Sequence, residues 1–236
     1  MTVRLAMWSG PRNISTALMR SWENRPDCAV VDEPLYAYYL NETGLNHPAR
    51  AEVIAAGEPD WRAVVAELTS AEPASIYYQK HMTHHLIPQL PRDWIGSLTN
   101  ALLIRDPFEV VASYVRSRAD VVAEDIGLVQ QVELYEQLGE DVPVLDAADF
   151  LQSPKRYLRW LCAHVGVEFT DAMLHWPAGP RPSDGVWAPH WYAAVIRSTG
   201  FAAYRPRSVS LTGEARHAAE QSRPFYERLY ASRIRL

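Results

Sequence analysis

Val3-Arg4-Leu5-Ala6-Met7-Trp8-Ser9-Gly10-Pro11-Arg12-Asn13-Ile14-Ser15-Thr16 decides how the rest of the chain is read. Val3–Trp8 is a short apolar run ending in Ser-Gly-Pro, which predicts a buried strand feeding a loop. Ser15–Trp22 follows with helical character, and Asn24-Arg25-Pro26-Asp27 stops it. The loop therefore opens onto a helix N-terminus, where free backbone N–H groups and the helix dipole favour a phosphate or sulfate.

The same alternation repeats downstream. Cys28–Val31, Ala74–Tyr78, Ala101–Ile104 and Val142–Leu145 predict four more apolar strands. Helices are predicted over 48–56, Asp60–Ser70 with Asp60 as N-cap, Phe108–Arg116, Asp125–Leu138 and Pro154–Val165, the last closed by Gly166. Solidly apolar strands alternating with helices predict a mostly parallel sheet covered on both faces, a three-layer α/β/α fold. In such sheets ligands bind beyond the carboxyl ends of the strands. The residues to watch are then Ser9–Thr16, Asp32–Pro34, Gln79–His85, Arg105–Pro107 and Asp146–Asp149. Residues 177–213, rich in Pro, Gly, Trp and Arg, are expected to form a long structured loop folding over one end of a single domain, 1–236.

Within the first loop, Gly10, Pro11, Arg12, Asn13, Ile14, Ser15 and Thr16 are the candidate anion binders. Arg12 offers a forked charged donor, and Ser15 and Thr16 offer hydroxyls. The second glycine and the lysine of the nucleotide-hydrolase pattern G-x-x-x-x-G-K-[ST] are missing. The plainer alternative is a strand-to-helix turn with a capping serine.

Pro11, Arg12, Ser15 and Thr16 resemble the phosphosulfate loop of the sulfotransferase superfamily, with Ile14 where that family usually has glycine. Leu102-Leu103-Ile104-Arg105-Asp106-Pro107, with Ser113 eight residues after the arginine, looks like the family's 3′-phosphate motif. Val142–Leu145, Ala148-Asp149-Phe150, Pro154 and the helix to Gly166 are similar to its scaffold, so the likeness spans roughly residues 3–170. The resemblance implies a fold like that of the P-loop nucleotide hydrolases. It implies 3′-phosphoadenosine 5′-phosphosulfate (PAPS) as sulfuryl donor, adenosine 3′,5′-bisphosphate as product, and transfer without a metal. Arg197, Ser198, Thr199 and Gly200, with Arg205 and Arg207 beyond them, match loosely the late loop that closes on the nucleotide. A solvated basic loop is the alternative there.

In-line transfer to a hydroxyl or amine needs positioning, acceptor deprotonation and stabilisation of the leaving oxygen. Catalytic roles are expected for Glu33, Lys80, His81 and Arg12. Glu33, in Asp32-Glu33-Pro34-Leu35-Tyr36, is the first choice of base; Asp32 is expected to cap or orient the loop. Lys80 falls where the family's lysine meets the leaving oxygen. His81 is the second choice of base, displaced by one position from the family's histidine. His81 and His85 have a spacing that chelates zinc on a helix, but no third ligand is evident, and no metal is expected. His84 and His85 are read as surface or packing residues. Tyr36, Tyr38, Tyr39, Trp187 and Trp191 are candidates for an acceptor pocket or for simple core.

The charge pattern agrees with one local anion site. The 236 residues carry 23 basic and 28 acidic side chains, net −5. Residues 1–180 hold 14 basic and 24 acidic residues, against 9 and 4 in residues 181–236. An acidic whole with a basic tail argues against a general nucleic-acid binder. Only Lys80 and Lys155 are lysines. Cys28 and Cys162 match no metal spacing and are expected as reduced thiols of a cytoplasmic protein. No signal peptide or membrane span is expected. The expected partner is a small-molecule acceptor, and the protein a monomer or homodimer. Two other functions remain open at this point: an ATP-dependent small-molecule kinase, and a non-catalytic nucleotide-binding module.

Overall fold

Five parallel strands form the central sheet of the computed structural model, which describes residues 2–70, 74–116, 121–206 and 209–236. In chain order the elements are β1 (Val3–Ser9), α1 (Ser15–Glu23), β2 (Cys28–Asp32), α2 (Tyr36–Thr43), α3 (Arg50–Ala56), α4 (Trp61–Thr69) and β3 (Ile76–Met82). They continue with β4 (Thr99–Ile104), α5 (Pro107–Tyr114), α6 (Ala123–Ile126), α7 (Leu128–Leu138), β5 (Val144–Asp146), α8 (Ala147–Gln152) and α9 (Pro154–His164). The last are α10 (Ala188–Trp191), α11 (Ala193–Ile196) and α12 (Gly213–Ala231). The sheet order is β2-β3-β1-β4-β5, and all four pairings are parallel.

Strand alternation divides the core into two layers. Leu5 and Met7 of β1 join Ile76 and Tyr78 of β3 and the inner faces of α1 and α9 on one side. Ala6 and Trp8 join Tyr77 and the inner faces of α4, α5, α7 and α12 on the other. Asp60 caps α4 by accepting from the Arg62 N–H, and Asp106 caps α5 by accepting from the Phe108 N–H just after Pro107.

Four expectations are corrected. The third strand is longer than Ala74–Tyr78, because Gln79, Lys80 and His81 stay in the ladder opposite β1 and are buried. The helix expected over Asp125–Leu138 is two, split at Gly127, whose φ of +74° breaks the helical path. Residues 177–213 are not all loop, since α10 and α11 lie inside them. Finally, α2 and α12 stand where no helix was assigned, and α12, at 19 residues, is the longest of the described helices.

Cys28 and Cys162 are free thiols. Burial pushes Cys28 up to about 12 and Cys162 up to about 11, so neither is a ready nucleophile. No helix among the described residues is long and apolar enough to cross a membrane.

Candidate active site

The loop after β1 is braced from behind. The Trp8 carbonyl accepts from Gln131 Nε2, and the Ser9 carbonyl from Thr83 Oγ1. Gly10 lies so close to α6 that a Cβ there would sit 2.2 Å from the Ile126 carbonyl oxygen. Its glycine identity is thus explained by close packing, and it does not border the cavity. Asn13 spends its side chain on the chain itself, donating to the Leu103 carbonyl and accepting from the Ile14 N–H. Ile14, without a side-chain cap, precedes α1, and the Leu18 N–H is bonded to the Ile14 carbonyl. The N–H groups of Ser15, Thr16 and Ala17 therefore have no carbonyl one turn back. These residues border a cavity of about 300 Å³.

Arg12 has a φ of 55°, a left-handed conformation that a non-glycine residue adopts only when its surroundings impose it. Its Nε donates to Ser113 Oγ at 3.1 Å and its Nη1 to the Trp191 carbonyl at 3.3 Å. Arg105 donates to the Arg12 carbonyl and pairs with Glu109. Burial, then the charges of Arg116 and Arg105, hold the Arg12 guanidinium below its usual range. Arg12, Arg105 and Ser113 are brought together as the motif spacing suggests, with Arg12 facing the cavity and the other two behind it.

At another wall stand Glu33 and Lys80. Asp32 and Lys80 are opposite one another in the β2–β3 register. Lys80 Nζ donates to Asp32 Oδ1 at 2.7 Å, to Glu33 Oε1 at 2.6 Å and to the Tyr192 hydroxyl at 2.6 Å. Glu33 has a φ of 45° and lies just past the strand end. Burial raises the Glu33 carboxyl above the ordinary range, with Lys80 opposing and Asp32 adding to the rise. Burial also works to discharge Lys80, but the two carboxylates outweigh it and hold the ammonium charged. Asp32 thus shares the ion cluster through one oxygen, while its other oxygen accepts from the Gly185 N–H and the Tyr192 hydroxyl of the late segment.

His81 is not part of this arrangement. One residue along a strand from Lys80, its side chain points to the opposite face of the sheet. There it stacks on Trp8 with ring centroids 4.1 Å apart and contacts Gln79 Oε1. Burial pulls it down to about 3, so it stays neutral and out of reach as a base. His81 lies in β3 and His85 beyond it in a one-turn helix, so their spacing is not helical. His85 packs between Tyr36 and Tyr39 as a buried ring. No cluster of three or more His, Cys, Asp or Glu placed for a metal ion is found among the described residues.

The late segment forms one border of the cavity. Trp191, Tyr192, Val195, Ser198 and Gly200 border it. Ser198 accepts from the Trp176 indole and donates to the Val195 carbonyl, while Thr199 is exposed and receives the Trp176 N–H at its carbonyl. Arg197 and Arg205 are exposed and do not border the cavity, so the segment closes with aromatic and backbone groups rather than with these arginines. Arg207 lies outside the described residues. Of the aromatic candidates, Tyr36 and Trp191 line the cavity, while Tyr38, Tyr39 and Trp187 are core. Sequence reasoning missed Tyr192, which reaches Lys80 across 112 residues, and His47, which meets the Tyr36 hydroxyl at 2.9 Å. No local periodicity signals either contact.

Comparison with known proteins places the chain in a family. Residues 3–233 match a family model described as a sulfotransferase domain. Two Arabidopsis thaliana proteins, branched-chain-amino-acid aminotransferase-like proteins 1 and 2, are 37% and 34% identical over 225 residues. Those matches cover 93% of this chain but 40% of each plant protein, so the chain spans less than half the length of these relatives. A sulfotransferase from Alicyclobacillus acidocaldarius superposes with a TM-score of 0.57 at 12% identity, covering 100% of this chain and 98% of that one. The sulfotransferase domain of the curacin biosynthetic pathway gives 0.56 at 16% identity, covering 94% and 97%. At such identities these two structures show the shared fold alone. The family match over nearly the whole chain shows more: the protein belongs to the sulfotransferase-domain family.

Proposed function

We propose that residues 1–236 act as one unit that moves a sulfuryl group from PAPS to a hydroxyl or amine of a small acceptor, with 177–213 folded over the donor. One observation carries this reading. Buried Lys80 and partly buried Glu33, 2.6 Å apart, share a cavity with the free N–H groups of the Ser15–Ala17 turn.

In this reading the α1 N-terminus and Arg12 hold the phosphosulfate, aided by the Ser15 and Thr16 hydroxyls. Such preorganised donors lower the barrier most where water is excluded. Arg105 and Ser113 hold the 3′-phosphate, which requires the Arg105–Glu109 pair to open. Glu33 takes the proton of the acceptor as it attacks sulfur. Its raised carboxyl is a stronger base than an exposed one, and Lys80 keeps it ionised until the acceptor arrives. Lys80 then turns its ammonium to the phosphate oxygen that departs.

Isothermal titration with adenosine 3′,5′-bisphosphate in magnesium-free buffer tests the donor. Binding is expected at micromolar concentration. Arg12→Ala removes a charged hydrogen-bond donor and should weaken it by roughly tenfold to a hundredfold. No binding at high micromolar concentration, with magnesium–ATP bound instead, would overturn the reading in favour of a kinase.

A further inference from the structure

The Tyr192 hydroxyl has every hydrogen-bonding position filled. It accepts from Lys80 Nζ at 2.6 Å and from Trp187 Nε1 at 2.9 Å, and donates to Asp32 Oδ2 at 2.7 Å. A phenol offers one donor and two acceptor positions, so its direction is fully determined. Glu33 Oε1 lies 3.3 Å away. Burial, with Asp32 and Glu33 adding to it, keeps the phenol protonated well above its ordinary value. Two carboxylates and one ammonium could otherwise settle in several arrangements. The phenol removes that freedom by taking one Asp32 oxygen and leaving the other to Lys80.

Tyr192 lies between two single-turn helices that bound the cavity. At about 300 Å³ the cavity is at the lower end of the range for ligand pockets. Because Lys80 meets the Tyr192 hydroxyl from a wall of this cavity, any displacement of the late segment lifts the phenol off Lys80.

We propose that Tyr192 is a positioning residue: brought by the late segment, its hydroxyl holds Lys80, Asp32 and Glu33 in one arrangement, so that the reacting pair is ordered only when that segment is closed. The proposal rests on the roles given above to Lys80 and Glu33.

The chain's two lysines make a test that needs no acceptor. Acylation by acetic anhydride, read by mass spectrometry as a function of pH, reports Lys80, with the half-exposed Lys155 as internal reference. Tyr192→Phe keeps the ring and removes only the hydroxyl. Relative to Lys155, Lys80 acylation should rise about tenfold, and its pH midpoint should fall, as expected for one lost hydrogen bond to a charged group. Lys155 should keep its midpoint. An unchanged Lys80 rate and midpoint in the folded variant would overturn the proposal. If Tyr192→Phe does not fold, Trp187→Phe frees the phenol from its other donor and should move both readouts in the same direction. Adenosine 3′,5′-bisphosphate should protect Lys80 of the native protein from acylation. Failure of that protection alone counts against the donor reading, while the response to Tyr192→Phe still decides the positioning role.

Discussion

At the scale of single residues, two non-glycine positions with left-handed backbone, Arg12 and Glu33, flank the cavity. Local strain of this kind persists where neighbours over-determine the geometry, and here each points a charged group at the same space. His81 is the counter-example: chemically suited to catalysis, it is turned away by strand alternation. Its place makes a pH prediction. Between its ordinary value of 6.5 and about 3, the unfolded chain binds a proton that the buried ring refuses. Stability is therefore lost as pH falls through that window, at up to ~1.4 kcal/mol for each pH unit. His81→Phe keeps the stacking on Trp8 but leaves Gln79 Oε1 without its partner, so neutral-pH stability should drop by about 1–3 kcal/mol. Denaturant unfolding from pH 7 to pH 4 should nevertheless show a shallower acid loss than the native chain, while nucleotide affinity stays the same. An equally steep loss, or a large drop in affinity, would place His81 elsewhere than on the far face.

At the scale of elements, Gly127 governs the passage from α6 to α7. A Cβ there would lie 2.6 Å from Thr83 Oγ1, the hydroxyl that bridges the Ser9 and Gly127 carbonyls, and 3.1 Å from the His84 nitrogen. With φ at +74°, any L side chain is also strained. Gly127→Ala should cost about 2–4 kcal/mol from strain and overpacking together, a fall of roughly 5–15 °C in Tm for a chain of this size. Scanning calorimetry with an unchanged Tm would refute this. The same elements separate what was legible in the sequence from what was not. Strands with apolar sequence and residues just past them, such as Arg12 and Glu33, could be placed because a parallel sheet puts its ligands there. The end of β3 could not, because Gln79, Lys80 and His81 are polar yet buried, and hydrophobic patterning sees them as loop. The core face of α12 is small and polar-looking at Ala218, Ala219 and Ser222, and Pro224 inside it reads as a breaker. In α2, tyrosines with weak helical propensity hide a helix buried along Tyr36–Leu40.

At the scale of the whole molecule, the basic C-terminal quarter is tied to the body by ion pairs rather than left as a charged tail. Arg223 pairs with Asp106, the N-cap of α5, and Arg233 with Asp149 in the first turn of α8. The tie most relevant to function is Arg20 with Asp184. Arg20, fully buried in α1, meets both Asp184 oxygens, with Glu23 as its weaker second partner. Asp184 also accepts from the Arg181 N–H, and the next residue, Gly185, donates to Asp32 Oδ2. One carboxylate thus fastens the start of the late segment beside the cluster that Tyr192 completes. Asp184→Asn keeps the size and removes the charge. It leaves the buried Arg20 cation with the more distant Glu23 as its remaining charged partner, which should cost about 3–5 kcal/mol in urea unfolding. Replacing both members, Arg20→Met with Asp184→Leu, removes the uncompensated charge and should recover most of that loss. Recovery of stability need not restore the attachment of the segment. If the ion pair anchors the closed arrangement, the double variant melts near the native temperature yet leaves Lys80 more open to acylation than in the native chain. A double variant no more stable than Asp184→Asn would mean that the cost lies in local packing instead of the buried charge.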